Sequence, residues 1–441
     1  MVVAAAATTF VAGSSRAQSP PVADDIQLPS ELSLEDALRI FRERGYDLLL
    51  ADAAVAAAEG DAASAAQIPN PTFTLQGSYS FAFASRYSAS PPANPATPWG
   101  VTAGLGDGNA LEDAISGKRG LRRRVAAAAL ASAKLGRIDA QRTLEYQVKE
   151  QYIAALLARD LLDFSNEILR GAEQTFRLMH VRYAAGAVSE ADEAKVELAK
   201  LEAEQAVDGA TEALRVGKLG LAFLLGVRGK VPTFHVLQDL PLFRVPAALA
   251  RTSVEQLMSE AWTHRPDLQQ AAENQKRAQA SVSLARRMRV PDLSLNVAYQ
   301  QQTGTDATAA QPPTFSFGIQ GNLPVFYLQR GEILHAEAEL RAEQVQRRKR
   351  EAQITTEVET AYTRFVASKK QIERMETRLL DRAKRTLELV EIQYQKGAAS
   401  LLELLDARRQ WIANSEAHLS YLAAYWDAIF QLEQSVGMEL R

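Results

Sequence analysis

"VRYAAGAVSEAD", Val181 to Asp192, interrupts a charged, Ala-rich run that should otherwise continue as one helix. It carries Tyr183, Gly186 and Ser189 at three-residue spacing, with Asp192 three further on. "IQYQKGAASLLELLD", Ile392 to Asp406, repeats the pattern 211 residues later with Tyr394, Gly397, Ser400 and Glu403. Glycine permits the left-handed backbone that ends a helix, and serine is a good N-cap for the helix that follows. An acid three residues after the serine completes a capping-box-like pair. Both stretches therefore predict helical hairpin turns, with tips at 183–190 and 394–401.

Matched turns so far apart point to a duplicated unit. "SLEDALRIFRERGYDLLLADAAVA" from Ser33 aligns with "SVEQLMSEAWTHRPDLQQAAENQK" from Ser253 at an offset of 220, as do Pro71 with Pro291 and Tyr79 with Tyr299. Tyr183, Gly186, Ser189 and Gly226 align with Tyr394, Gly397, Ser400 and Gly437 at an offset of 211. The domain reading is a first repeat at 33–229 and a second at 253–441, joined by a Pro-containing linker at 230–252. Residues 1–17 read as a signal peptide, with an apolar run Val2–Val11 before Ser15-Arg16-Ala17, and 18–32 as a linker. A disordered Ala-rich tail is the alternative, since no basic residue precedes the apolar run.

Each repeat carries a strand pair. "TFTLQGSYSFAF" alternates from Thr72, with Phe73, Leu75, Tyr79, Phe81 and Phe83 on one side and Thr72, Thr74, Gln76 and Ser78 on the other. The pattern recurs in the second repeat, so strands are expected at about 72–83, 98–106, 292–302 and 314–323. Between strands and tips lie proline-free runs of 63 residues (Leu121–Tyr183) and 64 (Gly331–Tyr394), each roughly 95 Å long as a helix. In the second run Ile354, Val358, Ala361, Phe365, Ile372, Met375 and Leu379 keep coiled-coil spacing, with a polar gap at Ser368. Beyond Leu379 the spacing predicts a stutter, which relaxes supercoiling. A helix of about 37 residues follows each tip, and about 35 helical residues, Ser253–Met288, open the second repeat. Such short helices, stacked in pairs, would match one long helix.

Four amphipathic strands cannot close a membrane barrel, whose smallest forms have about eight, and an open sheet leaves edges that lipid does not tolerate. Three chains would supply twelve strands. Arg119, Arg122, Arg123 and Arg124 follow the second strand, Arg286, Arg287 and Arg289 precede the third, and Arg330 follows the fourth. All fall where strand becomes helix, where they could meet lipid phosphates or simply form a solvated basic face.

The net charge of −3 gives no sign of a nucleic-acid partner, and with no cysteine the chain can hold no disulfide or thiolate metal site. No Walker loop, His-Glu-x-x-His or Gly-x-Ser-x-Gly motif is present, the five histidines are scattered, and no catalytic residues, cofactor or metal site are expected.

The two Tyr-x-x-Gly-x-x-Ser breaks, "IPNPTF" (Ile68–Phe73), "NLPVF" (Asn322–Phe326) and the closing "LEQSVG" (Leu432–Gly437), in duplicated order, resemble the TolC-like outer-membrane efflux family. "ISGKRGLRRRVAAA" and "IPNPTF" are most similar to its cobalt-zinc-cadmium branch. The resemblance implies a mainly α fold with a small β part: a homotrimer with a 12-stranded outer-membrane β-barrel continued by a 12-helix periplasmic α-barrel. It implies an exit duct of a tripartite efflux system, with a periplasmic adaptor, an inner-membrane pump and outer-membrane lipid as partners, and heavy-metal cations as one cargo. A multidrug or type I secretion duct is the alternative, and a soluble periplasmic coiled-coil scaffold a more distant one. By the same resemblance Tyr183, Gly186, Ser189, Tyr394, Gly397 and Ser400 belong to the entrance and adaptor-docking tip. Asp192, Glu403 and Asp406 fall at its acidic entrance positions, while Ala399 stands where well-known members carry a basic gate residue.

Overall fold

A computed structural model describes residues 28–79, 99–237, 240–302, 313–322 and 324–440. The expected signal peptide, much of the N-terminal linker, and the strand ends at 80–83, 98 and 323 lie outside them.

The elements run in duplicate. After β1 (Glu31–Leu32) in the N-terminal linker, the first repeat contains α1 (Leu34–Arg44), α2 (Tyr46–Ala66), β2 (Thr72–Tyr79), β3 (Trp99–Gly106), α3 (Ala110–Ser116), α4 (Lys118–Ala184) and α5 (Glu190–Leu224). After β4 (His235–Val236) in the linker between repeats, the second contains α6 (Val254–His264), α7 (Pro266–Arg287), β5 (Leu293–Gln302), β6 (Thr314–Gly321), α8 (Arg330–Arg374), a π-helical turn (Met375–Leu379), α9 (Leu380–Gln395) and α10 (Leu401–Val436).

The long helix α4 has 67 residues, about 100 Å of rise. It packs against α5 and α2 on one side and against α7 and α10 on the other. The start of α2 meets the end of α5, where the Tyr46 hydroxyl donates to Gly226 O at 3.0 Å. The start of α7 meets the end of α10, where Arg265 Nη1 donates to Ser435 O at 3.1 Å. Short helices are thus stacked in pairs beside the long ones. The expected single helix from Ser253 to Met288 is instead two, α6 and α7. Pro266 has no N–H to donate and holds Arg265 extended at φ −70°, ψ 118°, so the chain turns there. Gly45 makes the matching break between α1 and α2.

That corner contains a buried ion group. Arg265 is 2% exposed and Asp267 3%. Arg265 Nε and Nη2 donate to the two Asp267 oxygens at 3.0 and 2.6 Å, and Nη1 reaches Glu357 at 2.5 Å. Burial opposes ionisation of Asp267, but Arg265 outweighs it and holds the carboxyl below the usual range.

The main core surrounds this level. Ile354, Val358, Ala361, Phe365, Ile372 and Met375 are all buried among Tyr425, Ile429 and Leu432 of α10. Ser368, the polar gap, is buried and donates to Phe365 O at 3.1 Å. The heptad expectation fails only at its end: Leu379 is half exposed, and the π turn takes the place of the expected stutter. One extra residue in a single turn resets the helix face locally, where a stutter spreads the correction along the coil. The two linkers also join, as β1 and β4 pair in parallel and the Tyr152 hydroxyl of α4 donates to Leu32 O and Leu237 O beside them.

The four strands form one antiparallel sheet in the order β2-β3-β5-β6. Its register pairs Phe73 with Leu105, Leu105 with Val297, and Val297 with Phe317. One face is therefore apolar across all four strands, and it stands in the open: Phe73 is 67% exposed and Phe317 80%. The other face carries Thr74, Gly104, Ala298 and Ser316. β2 and β6 are the edges, each paired on one side only among the described residues.

Candidate functional site: the two hairpin tips

Both tips are built by the same hydrogen bonds. Ala187 N–H donates to Arg182 O and Gly186 N–H to Tyr183 O, each at 2.8 Å. Ala398 N–H donates to Gln393 O and Gly397 N–H to Tyr394 O, at 2.8 and 3.0 Å. These are complete Schellman motifs, and they require the left-handed glycines that are present, Gly186 at φ 69° and Gly397 at φ 74°.

Ser189 and Ser400 then cap α5 and α10, accepting from Asp192 N and Glu403 N at 3.2 Å each. The acids differ. Glu403 is long enough to reach back to Ser400 N at 2.7 Å, which completes a capping box. Asp192 is one methylene shorter; it accepts from the Ser189 hydroxyl at 2.8 Å and lies 3.3 Å from Lys195 Nζ. The Ser189 hydroxyl, then Lys195, holds the Asp192 carboxyl below its ordinary range. The Ser400 amide, then its hydroxyl, does the same for Glu403. Asp406 takes no part in capping; it is exposed and accepts from the Gln410 amide at 2.9 Å.

A small core ties the hairpins together. Met179, Val196, Leu401 and Leu405 are buried against Phe176, Val188, Ala199 and Tyr394. The duplicated tyrosines have parted roles: Tyr394 packs into this core with its hydroxyl 3.9 Å from Met179 Sδ, while Tyr183 is exposed. Cross-hairpin polar contacts add to it, with Arg408 donating to Thr175 Oγ1 at 3.2 Å and Arg409 pairing with Glu202 at 3.2 Å. Reasoning from the break motif found the caps and missed this core. Its signal was the spacing of Leu401, Leu404 and Leu405 on one face of α10.

The basic residues gather at the other end of the long helices, where strand becomes helix. Arg119 donates to Ala66 O at 3.1 Å, Arg122 pairs with Asp113, and Arg287 donates to Ser116 O. Arg286 pairs with Glu337 at 2.8 Å and Arg289 donates to Leu328 O at 3.1 Å. Those five bind protein groups. Arg123, Arg124 and Arg330 are exposed. Sequence reasoning passed over Lys118, which is 2% exposed and bonds Val290 O at 2.7 Å and Asp292 at 2.6 Å, joining α4 to the start of β5. Among the described residues no helix is long and apolar enough to cross a membrane, and no three His, Asp or Glu side chains are grouped to hold a metal ion.

The chain matches a known family. The outer membrane efflux protein family model matches residues 38–227 and 257–438. The chain belongs to that family. It is 24% identical over 322 residues to the pyoverdine export outer membrane protein OpmQ of Pseudomonas aeruginosa, a match covering 71% of this chain and 65% of OpmQ. It is also 24% identical to the cobalt-zinc-cadmium resistance protein CzcC of Cupriavidus metallidurans, covering 66% of this chain and 67% of CzcC. The Campylobacter jejuni CmeC outer membrane channel shares the fold with a TM-score of 0.77 at 17% identity, over 92% of this chain and 85% of CmeC.

Proposed function

We propose that three copies of this chain form an outer-membrane exit duct that passes cargo delivered by an inner-membrane pump through a periplasmic adaptor. The carrying observation is the sheet: four strands with one continuous, exposed apolar face and two open edges. Lipid covers such a face only when the edges are closed, and joining β2 of one copy to β6 of the next closes twelve strands. The strands are 8 to 10 residues long, close to the span of about 9–11 that a tilted membrane strand needs. Tyr79 stacks near Trp99 and Tyr299 near Phe315 at the loop ends of the strands, where an aromatic belt would sit. Arg123, Arg124 and Arg330 are then the arginines available to lipid phosphates.

The tips form the periplasmic entrance and the adaptor-docking end. Asp192 and Glu403 serve as helix caps, so Asp406 is the acid left to face passing cations, and three copies would make a negative ring. The heavy-metal reading of the cargo rests on "ISGKRGLRRRVAAA" and the likeness to CzcC. The equal identity to OpmQ supports siderophore export as a second reading. Reconstitution in planar bilayers tests the duct: the account expects discrete channels whose cation preference falls in Asp406→Asn. Absence of channels overturns the duct, and unchanged selectivity overturns the role of Asp406.

A further inference from the structure

Just above the tip core, α4, α5 and α10 line a cavity of about 210 Å³ that opens to the surface beside Ala206 and Ala413. Five alanines line it, Ala172 from α4, Ala199, Ala203 and Ala206 from α5, and Ala413 from α10, together with the aliphatic side chains of Ile168, Val196, Leu405 and Ile412. The alanines leave a gap between the three helices that the aliphatic side chains border but do not fill. An apolar cavity of about 150 Å³ already holds benzene. The ends of the cavity carry opposite charge. Arg408 lies at the tip end, where its guanidinium donates to the Thr175 hydroxyl at 3.2 Å and forms a long ion pair with Glu391 at 3.7 Å. Glu416 lines the other end, eight residues and about 12 Å along α10. Arg409 and Glu202 neutralise each other beside the mouth.

We propose that this cavity is a binding site for a small aromatic carboxylate. The ring would lie among the alanine and aliphatic side chains, and the carboxylate would take the planar guanidinium of Arg408 in a close bidentate fork, displacing the long 3.7 Å pair with Glu391. Glu416 repels the opposite orientation. Because one wall belongs to the α4–α5 hairpin and the other to α10, an occupant bridges the two hairpins and stabilises their closed packing. The site is distinct from the entrance acids and stands whatever the cargo.

The test is a fluorine-detected titration of 4-(trifluoromethyl)benzoate against the full-length protein in lipid nanodiscs, with 4-(trifluoromethyl)benzamide as the neutral control. Saturable binding is expected, together with a rise in the thermal unfolding midpoint. Ala203→Phe and Ala413→Leu should abolish it by filling the cavity. Arg408→Gln should weaken the carboxylate by roughly tenfold or more, and leave the amide within about twofold. If Ala203→Phe does not assemble, Ala413→Leu, at an exposed position, decides alone. No saturable binding, binding that survives Ala413→Leu, or equal loss of acid and amide in Arg408→Gln overturns the proposal.

Discussion

Gly186, Gly397 and Gly226 share a left-handed backbone but not a neighbourhood. A Cβ at Gly186 or Gly397 would meet nothing within 4 Å, so alanine there suffers only the backbone strain, about 1–2 kcal/mol. At Gly226, φ 78°, a Cβ would stand 2.5 Å from Arg44 O, where α5 meets the start of α2. Gly226→Ala should therefore cost about 1–3 kcal/mol more than Gly186→Ala, read as the difference in unfolding midpoints. Equal losses would contradict the stacked-helix joint. The capping acids give a pH signature. Both carboxyls are held below their ordinary range, so their contribution is present above about pH 4–5 and is lost as pH falls through the folded values. Amide protection in the first turns of α5 and α10, taken relative to the intrinsic exchange rate at each pH, should fall on acidification below that range, and in Asp192→Asn and Glu403→Gln this acid-induced change should disappear. The turns and caps were legible because Tyr-x-x-Gly-x-x-Ser-x-x-acid is local chemistry. The different fates of Tyr183 and Tyr394 were not, because they depend on which hairpin lies beside each.

At the scale of the element, the two long helices are duplicates in sequence and unequal in structure. α4 runs unbroken, with Ala172 and Met179 buried near its end. The second is divided by the π turn; α8 above it buries a full heptad stripe and α9 below it buries no residue. Hydrogen exchange should therefore be faster at 380–395 than at 354–372, and faster than at 169–184 of α4. Uniform protection along the helix would refute that division. The coiled-coil stripe was readable from apolar spacing alone. The π turn was not, since the same four-four steps fit a stutter, and only the packing of α10 beside it selects between them. The break at Arg265 was hidden because helix periodicity continues across it on both sides. Its buried ion group gives a firm expectation: Arg265→Met strips the buried Asp267 of its two short hydrogen bonds from the guanidinium, leaving it the long contact with Arg350 at 3.6 Å, and should cost up to about 3–5 kcal/mol, while Arg265→Met with Asp267→Leu should recover most of it. Thermal unfolding of the two variants measures this, and no recovery in the double variant would contradict the pairing.

For the whole molecule, the family and the alternation of apolar and polar strand residues were visible before any coordinates, because both are written in spacing and repeated order. The sheet's side-by-side order, which sets β2 and β6 as edges, is a tertiary property that spacing does not encode. A single chain presents an apolar face to water and leaves two strand edges open, which is an unstable surface for a protein acting alone. The account resolves this by threefold closure in the outer membrane. Native mass measurement of the protein extracted from outer membranes tests that claim most directly. The expected result is an assembly of three copies of the chain. A monomer near 48.2 kDa, recovered from the soluble fraction, would contradict it.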